Sequence, residues 1–157
     1  CPFDYQAILA ELIRVTGEQI ILCVMNRLGV VLEDAGDFDI QHFGKLKTLK
    51  RVFQTGTLQV TPEMQTLEPR MMPSWHAFTP TELQNLLEAQ NCTIQRISAP
   101  GTFIRSMPLE LFEQLRADQE AYTDFLKFEE EFDQQSDILG IGAKNAGGLL
   151  ISAKKNL

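Results

Sequence analysis

His76-Ala77-Phe78-Thr79-Pro80-Thr81-Glu82-Leu83 announces a helix start from its own residues and is followed by a strand of recognisable kind. Thr79 is suited to cap the helix, Pro80 to its first position, and Glu82, three residues after Thr79, completes a capping box. Leu83, Leu86 and Leu87 then share one apolar face. Asn91 tolerates the left-handed conformation that ends a helix, just before a Cys92 to Ile97 strand. The unit reads as helix, tight stop, strand.

Upstream, Tyr5, Ile8, Leu9, Leu12, Ile13 and Val15 recur at spacings of three and four, so Pro2 to Val15 reads as an amphipathic helix with Pro2 in its first turn and Gly17 at its C-cap. Ile20 to Met25 is a continuous apolar run too short for a separate helix. Such runs typify strands buried on both faces of a parallel sheet, and a helix feeding one is half of a βαβ unit.

From Asn26 to Trp75 the pattern loosens into an insertion. It holds a short apolar stretch (Leu28 to Leu32), an acidic turn (Asp34, Asp37, Asp39) and a helix expected over about Ile40 to Phe53. Ile40, Phe43, Leu46, Leu49 and Phe53 would face inward on that helix, leaving Lys45, Lys47, Lys50 and Arg51 as a solvated side or the contact for an anionic acceptor or partner. A Pro- and Met-rich connection (Pro62, Pro69, Met71, Met72, Pro73) reads as a covering loop.

Past the Cys92 strand, Ala99-Pro100-Gly101 is a break, and a helical stretch runs from Met107 to about Gln135 with an interruption near Ala117-Asp118. Tyr122, Phe125, Phe128 and Phe132 form an aromatic stripe on it, with Glu129, Glu130, Glu131 and Asp133 alongside. Gly140-Ile141-Gly142 lacks the third glycine and following helix of a dinucleotide fingerprint and reads as a turn. Gly147-Gly148 introduces a last strand, Leu149 to Ala153.

A chain of 157 residues with 44% apolar content supports one domain with a real core, residues 1–157, carrying insertions at about 27–75 and 99–147. The formal charge of −7 disfavours a nucleic-acid backbone or an anionic membrane as main partner, because both reward clustered cations. A small-molecule or protein partner fits better. Cys1, Cys23 and Cys92 are odd in number and widely spaced, which favours reduced core thiols and a cytoplasmic location; no Cys-x-x-Cys spacing occurs and no metal is expected. Neither a membrane span nor a basic-then-apolar leader is visible.

Three segments in this order resemble class I S-adenosylmethionine-dependent methyltransferases. Glu11 to Gly17, reading E-x-x-R-V-x-G before the Gln19 to Met25 run, resembles the family's E-x-x-R-V-x-x-G element before its fifth strand, His76 to Leu83 its later H-x-(F/Y)-T-P-x-E-L helix start, and Gly148 to Lys154 its closing strand. The resemblance leaves both insertions unmatched. It implies an α/β fold with a Rossmann-like seven-stranded sheet, of which this chain supplies the last three strands with flanking helices. The glycine-rich loop and ribose-binding acid would lie upstream of Cys1, so S-adenosylmethionine would be bound mainly by residues outside this segment.

In the family sheet the fifth strand lies between the fourth and the seventh, so this segment alone would leave one edge of Ile20 to Met25 open, and native proteins normally cover such an edge. We therefore expect the C-terminal half of a larger enzyme, its edge covered by the N-terminal half or by a dimer partner. The competing expectation is a non-enzymatic half-Rossmann module that binds a protein through that edge.

Methyl transfer requires alignment of donor and acceptor, exclusion of water and, for some acceptors, proton removal. Ligands of open α/β sheets sit beyond the carboxyl ends of the strands, which makes Asn26 and Arg27 acceptor-site candidates for a small-molecule substrate. Trp75 and His76 end the covering loop and join them, with His76 the candidate to orient or deprotonate an acceptor. A turn at Asn26, a surface contact at Arg27, a core Trp75 and a backbone-bonded His76 are the structural alternatives.

Overall fold

In the computed structural model the last strand, β5 (Gly148–Lys155), lies between β1 (Gln19–Met25) and β4 (Cys92–Ser98) and runs antiparallel to both. The structure describes residues 3–34, 36–71, 73–135 and 148–156. Cys1, Pro2, Met72, Gly147 and the Gly140-Ile141-Gly142 turn lie outside them. The architecture is mixed α/β, a small antiparallel sheet with several helices. No described helix is long and apolar enough to cross a membrane.

The parallel-sheet expectation for β1 is corrected by this order, as is its burial on both faces. Ile20, Leu22 and Val24 oppose Ala153, Ile151 and Leu149 on one face, whereas Ile21 and Cys23 point to the other and are exposed. The alternation follows from the strand period of two, with α1 and α6 covering the face that carries Ile20, Leu22 and Val24. Cys92 is the core thiol, its pKa pushed up by burial; Cys23 is not in the core.

Two helices cover the inner face. On α1 (Tyr5–Val15) the cap is Asp4, which accepts from Ala7 N at 3.0 Å, and Thr16, in extended conformation, ends the helix in place of Gly17. Lys155 Nζ donates to the carbonyls of Ile13, Thr16 and Arg14 at 3.2, 3.4 and 3.5 Å, a cation on the orphan acceptors of a helix C-terminus. Only Leu9 and Ile13 are buried on α1; Ile8, Leu12 and Val15 form an exposed second stripe, since the apolar arc is wider than the sheet contact.

On α6 (Pro80–Ala89) the capping box is formed as the sequence predicts: Thr79 Oγ1 accepts from Glu82 N at 3.2 Å and Glu82 Oε2 from Thr79 N at 3.4 Å. Leu83 and Leu87 are fully buried, and Asn91 has a φ of 59°. These side chains join Leu9, Ile13, Ile20 and Ile151 in the main core.

The insertion after β1 is more structured than its sequence indicates. Leu28 to Leu32 belongs to a helix, α2 (Arg27–Asp34), and the predicted Ile40 to Phe53 helix is two, α3 (Asp37–Phe43) and α4 (Lys47–Thr55). Gly44, with a φ of 63°, breaks the helical phase between them. The predicted inward face is therefore wrong in part: Ile40, Leu46 and Phe53 are exposed, and Val52 is the buried residue of α4. Leu46 cannot cap α4, so the buried Asp39 carboxylate reaches across from α3 and accepts from Leu49 N at 2.8 Å. The expected covering loop contains α5 (Pro62–Leu67), capped by Thr61, and the paired strands β2 (Thr57–Leu58) and β3 (Trp75–His76). Val52, Leu58 and Met64 form a small second core.

Beyond β4 the helical stretch divides at Asp118 into α7 (Leu109–Ala117) and α8 (Gln119–Phe132), and the Asp118 carboxylate caps α8. Phe125 is buried, whereas Phe128 is 47% exposed, so the aromatic stripe is only partly an interior face.

Candidate functional site

Glu82 completes the α6 cap and also forms the centre of a polar cluster drawn from five separated segments. Its Oε1 accepts from His76 Nε2 at 3.1 Å and from the Tyr5 hydroxyl at 3.3 Å, and its Oε2 pairs with Arg27 Nη2. Arg27 Nε donates to Ala77 O at 3.2 Å, and His76 Nδ1 lies 2.7 Å from Thr57 Oγ1. The Arg27 and Glu82 side chains are 12% and 24% exposed, that of His76 only 1%.

Backbone geometry brings these groups together. Where β1 ends, Phe78 N donates to Met25 O at 2.8 Å and Arg27 N to Phe78 O at 2.9 Å, so the segment leading into α6 lies parallel to the strand end. Ala77 N donates to Gly56 O at 2.8 Å. At Gly56, φ is 74° and a Cβ would stand 2.3 Å from Ala77 O and 2.6 Å from the Arg27 guanidinium, so glycine is required both by conformation and by the approach of the charge.

Protonation follows from the partners. A carboxylate only accepts, so Nε2 of His76 carries the hydrogen, and in the neutral ring Nδ1 then accepts from the Thr57 hydroxyl. Burial pushes the His76 pKa below its ordinary value and the Arg27 charge adds to this, against the opposing pull of Glu82. The Tyr5 ring stacks on His76 with centroids 3.6 Å apart and planes 8° from parallel, and Phe78 meets it edge-on at 4.5 Å.

Of the four residues singled out from sequence, Arg27 and His76 meet through Glu82. Asn26 lies beside them, fully buried, its Oδ1 accepting from Leu28 N at 3.1 Å and Gly29 N at 3.4 Å as the cap of α2. Trp75 points to the opposite side of β3 and packs on the Val52, Leu58 and Met64 core. Tyr5, Thr57 and Glu82 are the members sequence reasoning missed. For Glu82 the signal was present, a carboxylate six residues after a histidine, but it was read only as a cap.

Away from this cluster the carboxylates of Glu129 and Asp133 are buried. Glu129 Oε1 accepts from Ile104 N at 3.1 Å while Oε2 has no hydrogen-bond partner among the described residues, and burial, reinforced by neighbouring Asp133, pushes its pKa up. Asp133 accepts from Gly101 N at 2.9 Å and Thr102 N at 3.2 Å. These two acids tie the 99–104 turn to α8.

Compared with known proteins, the chain matches no family model and no curated protein.

Proposed function

We propose that this chain is the C-terminal, acceptor-side part of a class I S-adenosylmethionine-dependent methyltransferase with a Rossmann-like sheet. The observation that carries the reading is strand adjacency. In that family the fifth strand lies between the fourth and the seventh; here β1 pairs with the closing strand β5 and has no neighbour on its other edge among the described residues. Exposed apolar side chains on the same elements, Ile21 on β1 and Ile8, Leu12 and Val15 on α1, add support, since surfaces of this kind are normally covered.

The residues present do not fit the cofactor. At the carboxyl end of β1 the chain passes into α2 through Asn26 and Arg27, with no glycine-rich turn, and the Arg27 guanidinium is held by Ala77 O and Glu82. No step of the transfer is therefore assigned to this segment. Within the proposal the 27–75 insertion selects the acceptor, and the Arg27–Glu82–His76 cluster fixes that insertion to the sheet. His76, with both ring nitrogens bonded and its ring covered by Tyr5, acts as a positioning residue.

Calorimetric titration of S-adenosylmethionine tests the reading. Binding by a longer protein that contains this chain, and none by the 157-residue chain alone, is expected. Tight binding by the chain alone overturns the assignment of the cofactor site. Absence of binding by the longer protein favours a non-enzymatic interaction module on the same open edge.

A further inference from the structure

The cations of the 45–51 segment do not simply form a solvated helix side. Lys45, Lys47 and Arg51 border a groove of about 300 Å³ between the α3–α4 turn, α4 and α5. Its apolar lining is Phe43, Leu58 and Met64, the last two being buried members of the second core. Thr48, Gln59 and Thr61 add polar side chains, and Glu63 is the acid among the described lining residues.

We infer that this groove binds a small amphipathic organic anion, a carboxylate or phosphate monoester carrying an apolar group. The charge pattern is the first reason. The chain has a net charge of −7, yet the groove lining carries three cations, Lys45, Lys47 and Arg51, against one acid, Glu63, so the groove is a local reversal of the protein's sign. An ordinary solvated helix face in an acidic protein would interleave acids with the lysines.

Lack of internal neutralisation is the second reason. Among the described residues Lys45, Lys47 and Arg51 form no ion pair, a state they share with Lys50, Arg70, Arg105, Lys127, Lys154 and Lys155, but these three alone stand together around one groove. Arg51 Nη2 donates to Gln59 Oε1 at 3.0 Å, which holds the guanidinium without cancelling its charge. Of the buried Asp39 carboxylate, Oδ2 accepts from Leu49 N while Oδ1 has no hydrogen-bond partner among the described residues, and Asp39 is not part of the groove lining. The mixed lining is the third reason: a bare anion would need only the cations, while Phe43, Leu58 and Met64 offer contact to a hydrocarbon or aromatic group. The inference is independent of the methyltransferase reading.

Trp75, the single tryptophan of the chain, packs on the same small core as Leu58 and Met64, so its emission reports on the groove floor. Phenyl phosphate and 3-phenylpropionate, titrated into the full chain, are expected to give saturable changes, with inorganic phosphate at least about tenfold weaker and 3-phenylpropylamine without saturation. Lys45→Gln combined with Arg51→Gln weakens the anions by about tenfold or more, the loss of charge-assisted contacts. Lys50→Gln, outside the groove lining, stays within about twofold. Amide chemical shifts of the unaltered protein provide a readout free of any folding effect of the variants, and are expected to move at Lys47, Thr48, Gln59 and Thr61. The inference is overturned by absence of saturation with both anions at millimolar concentration, by an equal response to the amine or to inorganic phosphate, by unchanged affinity in the double variant, or by shifts confined to other residues.

Discussion

The sheet layer and the 27–75 insertion are held together by different physics. In the sheet layer, side chains from both ends of the chain meet in one apolar core: Leu9 and Ile13 from α1, Leu83 and Leu87 from α6, Ile151 and Ala153 from β5. The insertion has, among the described residues, a core of three buried side chains and is joined to the sheet by a polar seam, Arg27 and Glu82 with His76 and Thr57. Packing therefore sets the stability of the first region. Hydrogen bonding and charge set the position of the second.

The largest expected effect separates the two cores. Leu83→Ala, at a fully buried position closed in by helix and sheet, should lower global unfolding stability by about 4 kcal/mol, whereas Met64→Ala, beside a groove that can relax, should cost about 2 kcal/mol. Denaturant titration gives both values. Hydrogen exchange should then show the Met64 variant loosening the 52–67 amides while β5 remains protected; equal loss of protection in β5 would mean that the regions unfold as one.

Next comes the seam. Glu82→Ala removes the reciprocal cap and leaves the Arg27 guanidinium largely buried without its carboxylate, for a cost of about 2–3 kcal/mol, held below the value for a fully buried pair by the partial exposure of Glu82. A change under about 1 kcal/mol would show that the seam is only a surface contact.

A pH series sharpens the comparison further. The folded His76 pKa lies below the unfolded value, so its contribution is complete above about pH 6.5 and is lost as pH falls through the folded value. Denaturation midpoints should decline on acidification from pH 7 to pH 5, with a shallower slope in His76→Gln. An identical slope in that variant would contradict the histidine's part.

The smallest effect concerns Glu129. Its raised folded pKa means a contribution present below the unfolded value, about 4.5, and lost as pH rises through the folded one. Glu129→Gln keeps an oxygen for Ile104 N–H and removes the buried charge, so a gain below about 1 kcal/mol is expected at pH 7 and none at pH 4. Thermal unfolding at the two pH values checks the difference.

What sequence made legible was local. Thr79, Pro80 and Glu82 lie within one turn, and Asn91 ends the same helix, so α6 and its stop could be read directly. Where a single residue changes the phase, as Gly44 does between α3 and α4, periodicity alone merged two helices into one. Long-range partners were invisible. Glu129 and Asp133 could only be placed beside the aromatic stripe, because the N–H groups they serve, on Gly101, Thr102 and Ile104, belong to another segment. The candidate site was half legible for the same reason: Arg27 and His76 could be named, but the carboxylate joining them had already been given a local role. The one-sided burial of β1 depends on which face the helices cover, which an unbroken apolar run does not encode.

The claim at the centre of this reading is that the edge of β1 left unpaired among the described residues, with its exposed Ile21, is an interior surface of a larger assembly. Light scattering of the 157-residue chain over a range of concentrations tests it most directly. Self-association that grows with concentration is predicted, because an unpaired apolar strand edge is a template for pairing. A stable, monodisperse monomer that unfolds in one cooperative step would contradict it.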